Sequence, residues 1–148
     1  MIKKSILLGL GFLFTLVIIG CSSEDSITES INNLNKKIQG KWILTSYSGG
    51  ITGAEKTPVE DQKVIEFTTD AIYNVYDFEE ETGILIYEYG SPYDIIHKVS
   101  DINNESYFFL VLAIQSSFSD TTIDLYEGEL ILGHDVVDGV THYFVPFQ

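Results

Sequence analysis

The sequence predicts an all-β domain, an antiparallel up-and-down β-barrel, preceded by one short helix. After Gly40, apolar residues recur with a period of two, which is typical of half-buried strands. Turn-forming residues interrupt this pattern at short intervals, and Asp138-Gly139 is the strongest hairpin signal. No helical pattern follows Gly40, so many short strands favour a closed barrel, with a two-sheet sandwich as the alternative.

The period-two segments predict nine strands. Residues 49–61 contain Gly, Thr and Pro and are predicted to form one longer loop, whereas Gly90-Ser91-Pro92 is predicted to be a tight turn. The predicted strands are 41–48, 62–69, 71–78, 84–89, 93–99, 106–115, 120–126, 129–135 and 140–147.

One predicted strand lacks the alternation of the others. Tyr107 to Ile114 is a continuous apolar run, which is typical of a strand buried on both faces or packed outward against another element. The N-terminal helix could be that element.

The segment 26–39 is predicted to be an amphipathic helix. Ser26 and Glu29 match a capping box, and Gly40 suits the left-handed position that follows a helix. The polar residues of the segment also suit a tether, which is the alternative interpretation. Four apolar side chains would share one helix face: Ile27, Ile31, Leu34 and Ile38.

The N-terminus has the order of a secretion signal. Lys3 and Lys4 precede a short apolar run that ends at Gly20 and Cys21. The run is shorter than the roughly 18 residues of a spanning helix. An uncleaved membrane helix is the alternative.

Ile18-Ile19-Gly20-Cys21 resembles the lipobox of bacterial lipoproteins. The resemblance implies cleavage before Cys21 and a diacylglyceryl group on its thiol, and two acyl chains suffice for stable membrane attachment. It divides the chain into a signal peptide (1–20), a lipidated Cys, tether and short helix (21–39), and a barrel domain (40–148).

Ser22 and the acidic pair Glu24-Asp25 follow the predicted lipidation site. Ser at this position resembles outer-membrane lipoproteins, and the acidic pair is similar to the surface-export signal of Bacteroidetes lipoproteins. The implied location is the cell envelope, lipid-anchored to the outer membrane, on either its periplasmic or its surface side.

Composition excludes several partners. The chain has 22 Asp and Glu against 8 Lys, no Arg, and a net charge of −14. Phosphate binding needs clustered Lys and Arg, so we expect no nucleic-acid partner and no polybasic attachment to anionic lipid. A single Cys excludes an internal disulfide framework.

Gly40-Lys41-Trp42 resembles the Gly-x-Trp motif of the lipocalin superfamily, where the Trp closes the barrel floor. The 65–70 hairpin, and the Asp138-Gly139 hairpin that runs into residues 143–145, are similar to bacterial lipocalin-like lipoproteins. The resemblance implies a lipocalin-like barrel with Trp42 at its floor. The Arg that packs over this Trp in animal lipocalins has no counterpart here.

Aromatic residues in the central strands are candidates for a ligand site. Tyr combines a flat apolar face with a polar tip, which suits a cavity or a partner surface. The alternative is that they are ordinary strand residues, since aromatics are enriched in strands. The candidate ligand-binding residues are Trp42, Tyr73, Tyr76, Tyr87 and Tyr89.

The histidines are candidates for a metal site. If Asp138-Gly139 is a two-residue loop, His134 and His142 point to opposite faces and cannot share an ion, and Asp135 pairs with His142. A three-residue loop would make the two histidines face each other. The Asp-Gly pair favours the shorter loop, so no metal site is predicted.

The sequence contains no nucleophile elbow, zinc-protease motif or phosphate-binding glycine loop, so neither an enzyme nor a cofactor is predicted. Two functions remain. The first is a membrane-anchored carrier of a small hydrophobic or amphipathic ligand, which predicts a cavity lined by Trp42 and Tyr side chains. The second is a filled barrel acting as a structural or interaction module with an envelope protein, which predicts an exposed apolar patch.

Overall fold

The structure is a computed structural model that describes residues 23–51, 53–60, 62–114 and 121–148. The predicted signal peptide and the lipidation site Cys21 lie outside these residues. Within them the chain forms one helix and nine strands in one antiparallel sheet of order β2-β1-β3-β4-β5-β6-β7-β8-β9. The elements are α1 (Ser23–Ile38), β1 (Gly40–Gly49), β2 (Ala54–Pro58), β3 (Lys63–Phe67), β4 (Ile72–Glu79), β5 (Ile84–Val99), β6 (Ser106–Leu112), β7 (Thr121–Tyr126), β8 (Glu129–His134) and β9 (Val140–Pro146).

The sheet closes on itself because β1 also pairs with β9. This pairing extends from Trp42 opposite Pro146 to Gly49 opposite Val140. On its other edge β1 pairs first with β3 and then with β2, so β2 and β3 together fill one strand position. The result is a closed eight-stranded up-and-down barrel with one N-terminal helix, as predicted, and not a sandwich.

The predicted loop 49–61 contains a strand that the sequence pattern did not indicate. Pro58 of β2 lies opposite Ser46, and the Val59 amide donates a hydrogen bond to the Thr45 carbonyl at 3.1 Å. Main-chain groups at a sheet edge need hydrogen-bond partners, and β2 supplies them to the second half of β1.

The predicted turn at Gly90-Ser91-Pro92 is wrong, because β5 is continuous through it. Its first half pairs with β4 and its second half with β6. A Cβ at Gly90 would lie 2.5 Å from the Asn74 amide oxygen and 2.9 Å from the Tyr87 hydroxyl, so a larger residue there would make these two side chains shift. Pro92 has no N–H to donate, but its carbonyl accepts a hydrogen bond from Ala113 at 3.0 Å.

Helix α1 begins at Ser23, so Ser26 lies inside the helix and does not cap it. At the other end, Gly40 adopts a φ of +114°, which suits glycine and turns the chain from helix to strand. Leu34 and Ile38 are buried in one apolar cluster with side chains from the strands. The C-terminal half of the helix therefore covers the barrel interior at the end where β1 begins.

Strand β6 is buried on both faces, as the apolar run from Tyr107 predicts. Leu110 belongs to the interior cluster, whereas its neighbour Phe109 is fully buried on the opposite face. The Lys98 ammonium lies 4.1 Å from the Phe109 ring centre, and the Tyr107 ring lies 6.5 Å away. Because the apolar side of α1 packs into the interior cluster, the helix is not the cover of this outer face.

Candidate functional site

Buried apolar side chains form one cluster inside the barrel at the helix end. Phe67 packs edge-to-face against Tyr73 at 5.3 Å and against Tyr93 at 5.1 Å between ring centres. Such aromatic pairs add to the stabilisation from burial. The buried cluster comprises Leu34, Ile38, Trp42, Ile65, Phe67, Tyr73, Val75, Tyr93, Ile95, Leu110, Leu112, Ile123, Leu130, Leu132 and Phe144.

Trp42 and Tyr73, two of the predicted ligand-binding residues, are members of this cluster. Trp42 is 5% exposed and Tyr73 is 8% exposed. Burial, with a smaller contribution from Tyr89, raises the pKa of Tyr73. Both side chains therefore contribute to the packed core in this conformation.

Tyr76 and Tyr87, two further predicted ligand-binding residues, lie on the outer face of the barrel. Tyr76 follows the inward-facing Val75, and its hydroxyl donates a hydrogen bond to the Glu66 carboxylate at 2.7 Å. That bond, together with partial burial, raises the pKa of Tyr76 to about 12. Tyr87 is 59% exposed, and its ring packs against the Tyr76 ring at 5.8 Å.

Glu66 is the centre of a polar network on this outer face. Partial burial by itself would raise the pKa of Glu66, but hydrogen bonds from Tyr76 and Asn74 and the nearby Lys41 ammonium lower it overall. The Lys41 ammonium lies 3.5 Å from the carboxylate. The network accounts for the position of Tyr76 without a ligand.

Tyr89 faces the interior side, because it lies opposite Val75. It is nevertheless 38% exposed, and burial of the rest of the side chain raises its pKa, with a further contribution from Glu88. The five predicted residues are therefore divided: Trp42, Tyr73 and Tyr89 lie on the interior side, and Tyr76 and Tyr87 on the exterior.

The β8–β9 connection corrects the predicted placement of the histidines. The loop comprises the five residues between His134 and Val140, and Leu132 lies opposite His142. Leu132 is in the interior cluster, so His142 faces the interior too, as does His134 two positions along β8. Their ring centres are 6.2 Å apart.

Asp135 does not pair with His142 as predicted. Its carboxylate accepts a 2.7 Å hydrogen bond from the hydroxyl of Ser100, which is buried in the β5–β6 connection. The same hydroxyl accepts a hydrogen bond from the Ile102 amide at 3.1 Å. Ser100 thus ties two distant loops together.

The histidine pair lies in a polar part of the barrel wall. His142 is half-buried; this burial lowers its pKa, and the neighbouring His134 lowers it further. Tyr47 lies opposite His142 on β1 and is 36% exposed. Thr121 lies opposite His134 on β7, and its buried hydroxyl makes no hydrogen bond among the described residues.

Among the residues that the structure describes, two surface depressions can be named outside the interior cluster. One, of about 600 Å³, follows the polar face of α1 between Asp25 and Lys36. The other, of about 340 Å³, is lined by Lys63, Asp77 and Phe78 among others. Neither depression is lined by Trp42 or by a tyrosine.

The part of the chain that the structure describes lacks two kinds of feature. No three His, Cys, Asp or Glu side chains come together there as a metal-binding group. No helix there has the length and apolar character needed to cross a membrane.

Comparison with known proteins adds no relative. No protein family matches the chain, no curated protein is similar to it, and no solved structure matches its fold.

Proposed function

We propose that the protein is a lipid-anchored, lipocalin-like lipoprotein of the cell envelope whose barrel is filled and which acts through its outer surface. The observation that carries this proposal is the packing of Trp42 and Tyr73, which are buried in the apolar cluster inside the barrel.

An eight-stranded barrel has room either for its own side chains or for one small ligand. Here Leu34 and Ile38 of the helix join inward side chains from the strands in one buried cluster. A ligand at this end would have to displace buried apolar groups, and each fully buried Leu, Ile or Phe side chain contributes about 1.5–3 kcal/mol. The buried cluster at this end of the interior therefore contributes to stability.

The outer surface offers apolar side chains for a protein partner. Tyr87, on the first half of β5, is 59% exposed on this face, and its ring packs against that of Tyr76. Tyr is enriched at protein interfaces, because it combines a flat apolar face with a polar tip. With a net charge of −14, a neutral or basic envelope protein is the electrostatically compatible partner.

A second candidate function is binding of a small amphipathic molecule at the polar part of the interior. Tyr47, Tyr89 and His142 face the interior by strand register, yet all three lie outside the buried cluster and remain partly accessible. An aromatic face with a polar tip suits an amphipathic ligand.

Native mass spectrometry of the full protein, purified gently from its own host, distinguishes these functions. We expect the native mass to equal the denatured mass, lipid modification included. A reproducible extra mass that is lost on denaturation would instead support the second candidate. In that case Tyr47→Ala should abolish the extra mass, and Tyr126→Ala, at an exposed tyrosine of β7, should leave it unchanged.

The anchor is tested separately. Replacement of Cys21 by Ser removes the thiol that the lipid would modify. We expect Cys21→Ser to move the protein from the membrane fraction to the soluble fraction and to abolish labelling by radioactive palmitate. A Cys21→Ser protein that stays in the membrane fraction would contradict lipid anchoring.

A further inference from the structure

We propose that His134 and His142 form a binding site for a divalent transition-metal ion such as Zn²⁺ or Cu²⁺ on the inner wall of the barrel. The two histidines lie on neighbouring strands with their rings 6.2 Å apart between centres. The site is distinct from the outer surface proposed above for protein contact.

The separation of the rings fits one shared ion. A Zn–N bond is about 2.0–2.1 Å, so two imidazole rings on one ion have their centres roughly 5 to 6.5 Å apart. His134 and His142 are diagonal neighbours across the β8–β9 pair, a distance that long side chains span on one sheet face. Small changes in the side-chain torsions would therefore bring one nitrogen of each ring to the ion.

The two ligands differ in accessibility in a way that suits capture of an ion. His134 is exposed, so an ion from solvent reaches it first, whereas His142 is half-buried and held within the sheet. The net charge of −14 raises the local concentration of cations.

The chemistry of the ligands selects the class of ion. Imidazole nitrogen suits Zn²⁺ and Cu²⁺, whereas Mg²⁺ and Ca²⁺ prefer oxygen. In the described part of the chain no third His, Cys, Asp or Glu joins the two histidines. Water would therefore fill the remaining coordination positions of the ion, and the bound ion would exchange readily with ions in solution. Tyr47 and Thr121, on the facing strands, offer hydroxyl groups near these positions.

Isothermal titration of the full chain in mild detergent tests the proposal, with ZnCl₂ as the probe and MgCl₂ in parallel. We expect one Zn²⁺ to bind per chain and Mg²⁺ to bind at least tenfold more weakly. His134→Ala and His142→Ala should each weaken Zn²⁺ binding at least tenfold. His97→Ala is the matched control, because His97 also faces the interior, opposite Phe108, but lies on β5. It should leave binding unchanged.

Three results would overturn the proposal. They are the absence of Zn²⁺ binding at millimolar concentration, binding that survives both substitutions and therefore belongs to surface carboxylates, and binding that His97→Ala removes equally. Because His134 is exposed, His134→Ala should fold normally, and circular dichroism verifies this for each variant. A nuclear magnetic resonance shift of both imidazoles on Zn²⁺ addition would identify the ligands directly.

Discussion

The indole Nε1 of Trp42 donates a 2.6 Å hydrogen bond to the carbonyl oxygen of Ile38. The last carbonyl groups of a helix have no partner within the helix. Trp42 supplies a hydrogen-bond donor for one of these carbonyl groups, from a position four residues after Ile38. The helix end and the start of β1 therefore form one unit, which fixes the helix over the barrel interior.

Removal of this hydrogen bond should destabilise the fold. In Trp42→Phe the ring stays apolar, but the buried Ile38 carbonyl loses its donor, which costs about 1–3 kcal/mol. We expect a lower urea midpoint with little change in slope, measured by circular dichroism. Tyr126→Phe, at an exposed aromatic, is the control and should change stability by less than about 0.5 kcal/mol.

The helix should contribute to stability through its buried face. Ile38 is fully buried, so Ile38→Ala removes apolar contacts and leaves a cavity, at a cost of about 2–5 kcal/mol. Ile51→Ala is the matched control, because Ile51 is 92% exposed. Equal stability of the two variants in urea would show that the helix does not pack on the barrel.

Stability should fall as pH decreases through the histidine range. Burial and His134 lower the pKa of His142 below its ordinary value of 6.5, so the unfolded chain binds a proton first. The stabilisation from neutral His142 is therefore complete above pH 6.5 and is lost as pH falls below it. The titratable groups facing His142 are Tyr47 from β1 and His134 from β8.

Urea unfolding of wild type and His142→Gln between pH 5 and 8 measures this contribution. We expect the variant to lose less stability on acidification. Glu66 does not obscure the result, because its pKa lies below its ordinary value of 4.5 and its stabilising effect is lost at lower pH. If His142→Gln showed the same or a steeper pH dependence than wild type, His142 would not be the source of the loss of stability on acidification.

The loop between β8 and β9 comes close to the end of β1, which should make Gly49 intolerant of a side chain. Gly49 has a φ of +88°, and a Cβ there would lie 2.5 Å from the Gly139 carbonyl oxygen. Gly53 has a φ of +59° but no atom within 4 Å of such a Cβ. A left-handed conformation costs a non-glycine residue about 1–2 kcal/mol. Gly53→Ala should show that cost alone, and Gly49→Ala a larger loss in the same urea experiment.

Local pattern was sufficient to predict the barrel and its helix. The period of two after Gly40 reflects strands with one buried face, and Leu34 and Ile38 are buried as the helical spacing indicates. The glycine between helix and strand adopts the positive φ that its position suggests. These features depend on neighbours in sequence, which is why they could be predicted.

The direction of the aromatic side chains could not be predicted, because it depends on irregular strand pairing. A bulge between Val75 and Tyr76 shifts the register, so Tyr89 lies opposite Val75 and Tyr87 opposite Tyr76. Tyr87 and Tyr89 are two residues apart and by simple alternation would share a face. The bulge places them on opposite sides of the sheet.

The histidine pair was missed for a similar reason. Asp138 adopts a positive φ of 61°, as an Asp-Gly turn suggests, and the Gly139 amide bonds to the Val136 carbonyl at 3.0 Å. The turn, however, lies at the tip of a five-residue loop, so the strand register differs from that of a two-residue hairpin. In the observed register Leu130 lies opposite Phe144, and Leu132 lies two positions along on the same face. This match of apolar residues was the signal in the sequence that indicates the observed register.

The pairing of β1 with β9 has a consequence for biogenesis. The Thr45 hydroxyl bonds to the Tyr143 carbonyl 98 positions later, so one edge of β1 stays open until the last strand has been made. Open edges and non-local pairing expose a nascent chain to aggregation and slow its maturation. A chain made amino end first would therefore benefit from a chaperone until β9 closes the ring, and loss of β9 would leave β1 and β8 as open edges that could pair with another chain.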